Sequence, residues 1–246
     1  MNKLLKSSIG LVALAQLSIA GIIIAPPPMA YSPLKEIGSQ TSAQFNYLSF
    51  ETDASETTGI GVGISHRIRK TEDTFHNMSF YYMNMSDDGS ANMESGTDIY
   101  NASYQYGTNI NPQLLGFVGG SLNYSAYWKE EGYGTSNYSD SYIDTLMYSA
   151  TAGLQYEHDV SFGVLIPWVA MTYIIGGSSD LETIPYGNDP LGNPLQSSSS
   201  SSDIDSFGAY QLGFDVYFDA IATSLSSMYQ SSDDGDLLSL SLSYNF

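Results

Sequence analysis

From about residue 41 onward the chain alternates between an apolar or aromatic residue and a small or polar one. Leu238, Leu240, Leu242, Tyr244 and Phe246 fall on one parity, and Ser239, Ser241, Ser243 and Asn245 on the other. Leu146, Tyr148, Ala150, Ala152, Leu154 and Tyr156 interleave in the same way with Thr145, Met147, Ser149, Thr151, Gly153 and Gln155. Ile60, Val62 and Ile64 interleave with Gly59, Gly61 and Gly63. Successive side chains of a strand point to opposite faces, so this period marks strands with one apolar and one polar face. Ten such segments are read, at approximately 41–52, 57–69, 76–86, 97–107, 113–128, 141–158, 162–176, 205–219, 221–231 and 236–246. The segment at 162–176 is apolar on both faces and contains Pro167, which donates no ladder hydrogen bond, so a bulge or a late strand start is expected there.

Composition narrows the class. The 246 residues include no cysteine, which excludes disulfide frameworks, thiolate metal sites and cysteine nucleophiles. Seven Lys and Arg stand against 26 Asp and Glu, so nucleic acid is not an expected partner. Charged residues make up only 13%, where a soluble domain carries about a quarter. Residues 1–30 read as a secretory signal peptide: Lys3 and Lys6, then an apolar run from Ile9 to Ala25, with cleavage after Ala20 or Ala30. Residues 31–246 are read as one domain. No later segment approaches the ~20 apolar residues a membrane helix needs, so a membrane would be crossed by strands.

The connections between segments divide by length. With the mature N-terminus in the periplasm, the even ones (70–75, 108–112, 158–161, 219–220) are short turns on that side. The odd ones face outward, and 87–96, 129–140 and 177–204 are long. Short turns on one side and long loops on the other are what a transmembrane barrel presents.

The alternating run that ends in Tyr244-x-Phe246 resembles the assembly signal of Gram-negative outer-membrane β-barrel proteins, which closes on an aromatic with another two positions before it. The resemblance covers only the last strand. It implies delivery to the barrel assembly machinery and insertion into outer-membrane lipid. The expected fold is therefore all-β: an antiparallel up-and-down transmembrane barrel of ten strands, with eight or twelve as alternatives. Such a barrel turns its apolar face to lipid and its polar face inward.

The inward parity is mostly small and polar, and includes Gly59, Gly61, Gly63, Asn101, Ser103, Gln105, Ser121, Asn123, Thr151, Gln211 and Ser241. A narrow wet space and a packed core both fit that set. Inward charges are few. Arg67, Arg69, Glu157 and Asp215 all fall near the periplasmic end, and burial of charge demands pairing, so they are expected to form a cluster closing that mouth. The outer loops are acidic, with Asp87, Asp88, Glu130, Glu131, Asp180, Glu182, Asp233 and Asp234. Solvation alone explains such residues; divalent cations are a candidate partner, since hard cations take oxygen ligands, although no stretch has EF-hand spacing. The 177–204 segment, with Pro185, Pro190, Pro194 and serines from Ser197 to Ser202, reads as a flexible low-complexity loop, with Tyr186 and Leu191 its candidate contact residues.

Enzymatic chemistry is not expected. The three histidines, His66, His76 and His158, fall near the periplasmic end, away from any outer-loop acid or serine. No cofactor or dedicated metal site is expected. The leading functional expectation is a monomeric, narrow, porin-like channel for small solutes, with a cation preference set by the acidic mouth. The alternative is a non-conducting structural or surface-interaction barrel that uses its acidic loops.

Overall fold

The computed structural model describes residues 37–51, 56–87, 93–131, 138–187, 195–232 and 235–246. The segment read as a signal peptide lies outside them, as do Asp88, Leu191, Asp233 and Asp234. The strands are β1 (Gly38–Glu51), β2 (Glu56–Thr71), β3 (Thr74–Asp87), β4 (Met93–Asn109), β5 (Leu114–Glu131) and β6 (Ser139–Tyr156). They continue as β7 (His158–Val160), β8 (Gly163–Pro185), β9 (Ser198–Ile204), β10 (Phe207–Phe218), β11 (Thr223–Ser232) and β12 (Gly235–Asn245). A 3-10 turn at Asp219–Ile221 joins β10 to β11.

Every pairing is antiparallel, and β12 returns to β1 in register from Ser42↔Asn245 to Glu51↔Asp236, which closes the wall. β7 continues the line of β6, and β9 leads into β10 across Asp205 and Ser206, so the twelve strands make ten staves. Closure gives every stave two neighbours, as backbone in hydrocarbon requires.

The alternation in the sequence becomes an alternation in exposure. Along β12 the pattern is strictly exposed-buried from Asp236 onward: Leu238, Leu240, Leu242 and Tyr244 face out, and Ser239, Ser241 and Ser243 face in. Ile60, Val62, Ile64, Phe80, Val118 and Leu212 extend the same apolar belt around the outside. Aromatic residues edge it on both sides. Tyr82, Tyr100 and Tyr124 sit side by side with ring centroids 5.2 and 6.1 Å apart, and Tyr104, Tyr106, Tyr156 and Phe162 lie toward the turn end. Amphipathic rings favour such boundaries, because one end is apolar and the other wet.

Two expectations about the chain path are corrected. Pro167 causes neither a bulge in β8 nor a late start; it sits within the strand opposite Phe214 of β10. Its missing N–H is met on the other side. Gln155 pairs with Trp168 and His158 with Leu165, so the break between β6 and β7 falls opposite Pro167. The register shift in β8 lies higher, where Tyr148 pairs with Gly176 and Ser149 with Ile174, leaving Ile175 as the extra residue.

The second correction concerns 177–204. It is not a structureless loop where it is described: β8 runs on to Pro185, and Ser198–Ile204 pairs back onto it from Thr183↔Ser198 to Gly177↔Ile204. Together with the upper parts of β4, β5 and β6 this makes a sheet that rises above the rest of the wall. We call it the wing. Glu130, Glu131, Asp180 and Glu182, expected in loops, are wing strand residues, and Asp87 closes β3.

Candidate functional site

Two places gather chemistry: the lumen and the wing. The lumen is filled in layers. Toward the wing end, Leu48, Phe50, Met83, Met85, Ile99 and Leu237 form one apolar group, and Met147, Ile174 and Ala209 another. Toward the turn end, Phe75, Leu115, Phe117, Trp168 and Ala170 form a third, which Met228 joins to the first. Apart from the half-buried Met228, these residues are at most 9% exposed.

Between the apolar layers lies a hydrogen-bonded polar belt. Asn101 Nδ2 donates to Asn123 Oδ1 (2.6 Å), Asn123 Nδ2 to Ser121 Oγ (3.1 Å), and Ser121 shares a bond with Ser149 (2.5 Å). On the next staves Thr151 and Thr172 share a bond (2.7 Å), Thr172 donates to Gln211 (3.3 Å), and Gln211 Nε2 donates to Gln230 Oε1 (2.8 Å). Across the closure, Ser241 Oγ donates to Asn46 Oδ1 (2.6 Å). Buried polar groups are costly unless bonded in this way.

The inward glycines have a use that parity alone does not reveal. A Cβ on Gly63 would lie 2.2 Å from the ring of Tyr81, and one on Gly213 would lie 2.3 Å from the ring of Trp168. The small residues on one strand therefore seat aromatic rings from the next, rather than leaving room for solvent. Tyr81, Phe117 and Trp168 were not picked out by sequence reasoning as inward. Their signal was present, because Tyr81 shares its parity with Asn77 and Ser79 in β3.

The inward charges are placed as follows. Asp215 is fully buried and Arg67 is 7% exposed. Ser226 Oγ and Trp168 Nε1 are the polar groups nearest the Asp215 carboxyl, and neither reaches good hydrogen-bond geometry with it. Arg69 lies at the mouth, where its guanidinium donates to the carbonyls of Thr71 (3.2 Å) and Glu72 and stacks over Phe75 at 4.9 Å. Glu157 sits at the β6–β7 break and accepts from Gln155 Nε2 at 2.9 Å. Of the four, Arg67 and Asp215 are buried in the lumen, and Arg69 and Glu157 lie at the rim.

On the wing, acids occupy facing positions across neighbouring strands: Glu94↔Glu130↔Asp140 and Asp144↔Asp180. Like charges placed opposite one another oppose pairing. Part of this is offset by phenols. Tyr82 Oη donates to Asp98 (2.7 Å), Tyr124 Oη to Asp144 (2.8 Å) and Tyr186 Oη to Asp140 (2.8 Å). Tyr138 also donates to Asp140, and its ring stacks on that of Tyr186 at 4.8 Å. Both phenols are held above the ordinary tyrosine range, first by that hydrogen bond and then by desolvation. Lys129 pairs with Glu131 at 3.2 Å. Among the described residues no three acids or histidines converge as a metal site. Two of the three histidines have structural surroundings: His66 bonds Thr41 (3.0 Å), and His76 bonds Tyr104 (2.6 Å) beside Tyr106.

Comparison with known proteins gives the fold independently. No family model matches the sequence, and no curated protein does. Among solved structures, the translocator domain of the autotransporter NalP from Neisseria meningitidis is similar at a TM-score of 0.59 and 10% identity. The match covers 98% of this chain and 95% of that one. Ail, the attachment invasion locus protein of Yersinia pestis, matches at 0.38 and 14% identity, over 86% of this chain and 100% of that one. The toluene transporter TodX of P. putida matches at 0.42 and 11%, over 89% and 70%. The chain has the fold of an outer-membrane β-barrel.

Proposed function

We propose that this protein resides in the outer membrane as a monomeric, non-conducting barrel, and that it works through its acidic wing as a surface-interaction protein. The observation that carries the reading is the filled lumen. Trp168, Phe117, Met147, Ile174 and Leu237 are all within 5% of complete burial, whereas residues lining an aqueous channel remain accessible to water. The wing supplies the contact face, because it stands above the apolar belt and carries Glu94, Asp180 and Glu182 exposed. The C-terminal run ending in Phe246 fits delivery by the barrel assembly machinery, and residues 1–30 fit export. We assign it no catalytic activity. Among the described residues no carboxylates converge as a metal site, and divalent cations serve as loose counterions to the wing.

A narrow channel with a cation preference is the second reading. The polar belt through Asn101, Asn123, Thr172 and Gln211 favours it, since these groups form a hydrophilic waist. Planar-bilayer recording separates the two. The refolded protein is expected to give no steady conductance while heat-modifiable gel mobility shows it folded. Reproducible cation-selective steps would overturn the non-conducting reading.

A further inference from the structure

The wing ends in an open strand edge. β9 pairs with β8, and among the described residues no other strand lies beside it. The reason is a mismatch in height. β11 ends at Ser232, which faces Ala209 of β10, so among the described residues no strand runs next to the preceding residues of that stave. The seven residues Ser198–Ile204 therefore direct one row of backbone N–H and C=O groups away from the sheet.

Natural edges are blunted by lysine, proline, bulges or a covering segment, because an open ladder templates pairing with another chain. Among the described residues β9 has no lysine, no proline, no bulge and no covering strand. It consists of five serines followed by Asp203 and Ile204, and its register with β8 is regular. Serine side chains are too short to shield the backbone, and all five are exposed. Such an edge is a template on which a further strand can pair.

Charge says which strand. Ser199 faces Glu182, Ser201 faces Asp180, and Asp203 faces Ser178. Glu182, Asp180 and Asp203 thus share one face of the wing and are exposed, and they have no ion-pair partner among the described residues. An added strand would lie two interstrand spacings, roughly 10 Å, from β8. Lysine and arginine stems on alternate positions span that gap over the short serines. A second copy of this chain fits poorly, because it would bring two acidic rows together.

We propose that the open edge of β9 binds an extended cationic segment of a partner protein by strand addition, with basic side chains on alternate positions facing Asp203, Asp180 and Glu182. This rests on the surface-interaction reading and gives the partner its chemistry. Main-chain hydrogen bonds supply affinity in such complexes, and alternate side chains supply specificity.

The test uses the full chain refolded in zwitterionic lipid vesicles. The probe is a labelled peptide of about nine residues alternating lysine and threonine, long enough for one strand. Two further probes carry N-methyl groups on the lysine amides or on the threonine amides. Only one of these sets faces β9 in a given register, so one methylated peptide is expected to bind like the parent and the other to lose on the order of tenfold or more. The protein variant Asp180→Asn, Glu182→Gln, Asp203→Asn is expected to weaken binding by a similar factor, with unchanged gel mobility. Equal binding by both methylated peptides would overturn the proposal, since the attraction would then be charge alone. So would no binding to a folded barrel, or a crosslinked homodimer that excludes the peptide. Conductance addresses the filled lumen separately, so failure here and failure of the non-conducting reading are distinguishable.

Discussion

β8 passes through two environments in 23 residues. From Gly163 to Ile175 its side chains alternate between the packed lumen and the apolar outside, with Ile166, Trp168, Thr172 and Ile174 buried and Val169, Met171, Tyr173 and Ile175 exposed. From Gly176 to Pro185 the contrast fades and most residues are half-buried. The ladder itself continues: after the one-residue register shift at Ile175, β6 stays alongside up to Ser139↔Pro185. Strand geometry and amphipathic pattern are thus separate things. The lower half is a strand because an apolar outer face and a packed inner face both select for it. The upper half is a strand because a ladder already under way continues to pair its backbone.

The largest expected difference between the halves lies in packing. Trp168→Ala removes a ring buried against Phe117, Ala170 and Gly213, and is expected to cost about 3–5 kcal/mol. Glu182→Ala in the upper half is expected to change stability by no more than ~0.5 kcal/mol. Urea titration in lipid vesicles, read by gel mobility, compares them. Equal costs would mean that the lumen is not packed around Trp168. Gly213→Ala sharpens the point from the other side, because its new methyl would run into the same ring.

The second difference concerns the outer surface. Met171→Arg places a cation in the apolar belt and is expected to destabilise the barrel by about 2–4 kcal/mol if the site lies near the middle of the bilayer. Glu182→Arg puts the same side chain on the same strand above the belt, where water solvates it, and is expected to be close to neutral. A tolerated Met171→Arg would mean that lipid does not cover this face.

This division explains what could be read beforehand. All ten staves were legible, because successive side chains of each alternate between the apolar outside and the lumen, and the sequence carries that alternation. The inward parity of Arg67, Asp215, Gln211 and Ser241 followed directly. β9 was not legible. Ser198–Ser202 meets water on both faces, so no pattern distinguishes it from a linker, and only its pairing with β8 makes it a strand. The filling of the lumen was also hidden. Parity says that Gly63 and Tyr81 both point inward, but only the register Gly63↔Tyr81 shows that the glycine makes room for the ring. Pro167 carried a true signal with the wrong consequence: the ladder does break, but in the neighbouring β6–β7 stave.

The smallest expected effect lies at the top of the wing, where a brace substitutes for the missing core. Tyr186 N donates to the Tyr138 carbonyl at 2.8 Å, the two rings stack, and both phenols donate to Asp140. Their raised pKa values set the direction of a pH dependence. A tyrosine whose folded value lies above its unfolded value, about 10, adds stability that is fully present below pH 10. That stability is lost as pH rises through the folded value, because ionised phenols neither donate to Asp140 nor tolerate its charge. Replacing both tyrosines by phenylalanine keeps the stacking and removes the donors. Limited proteolysis of the wing is therefore expected to run several-fold faster in the double variant at pH 8, with the barrel below it unaffected. Tyrosine ultraviolet titration of the full chain supplies the second readout: the double variant should lose absorbance change only from the high-pH part of the curve. If proteolysis at pH 8 is the same with and without the phenols, the top of β8 is held by its ladder to β6 alone.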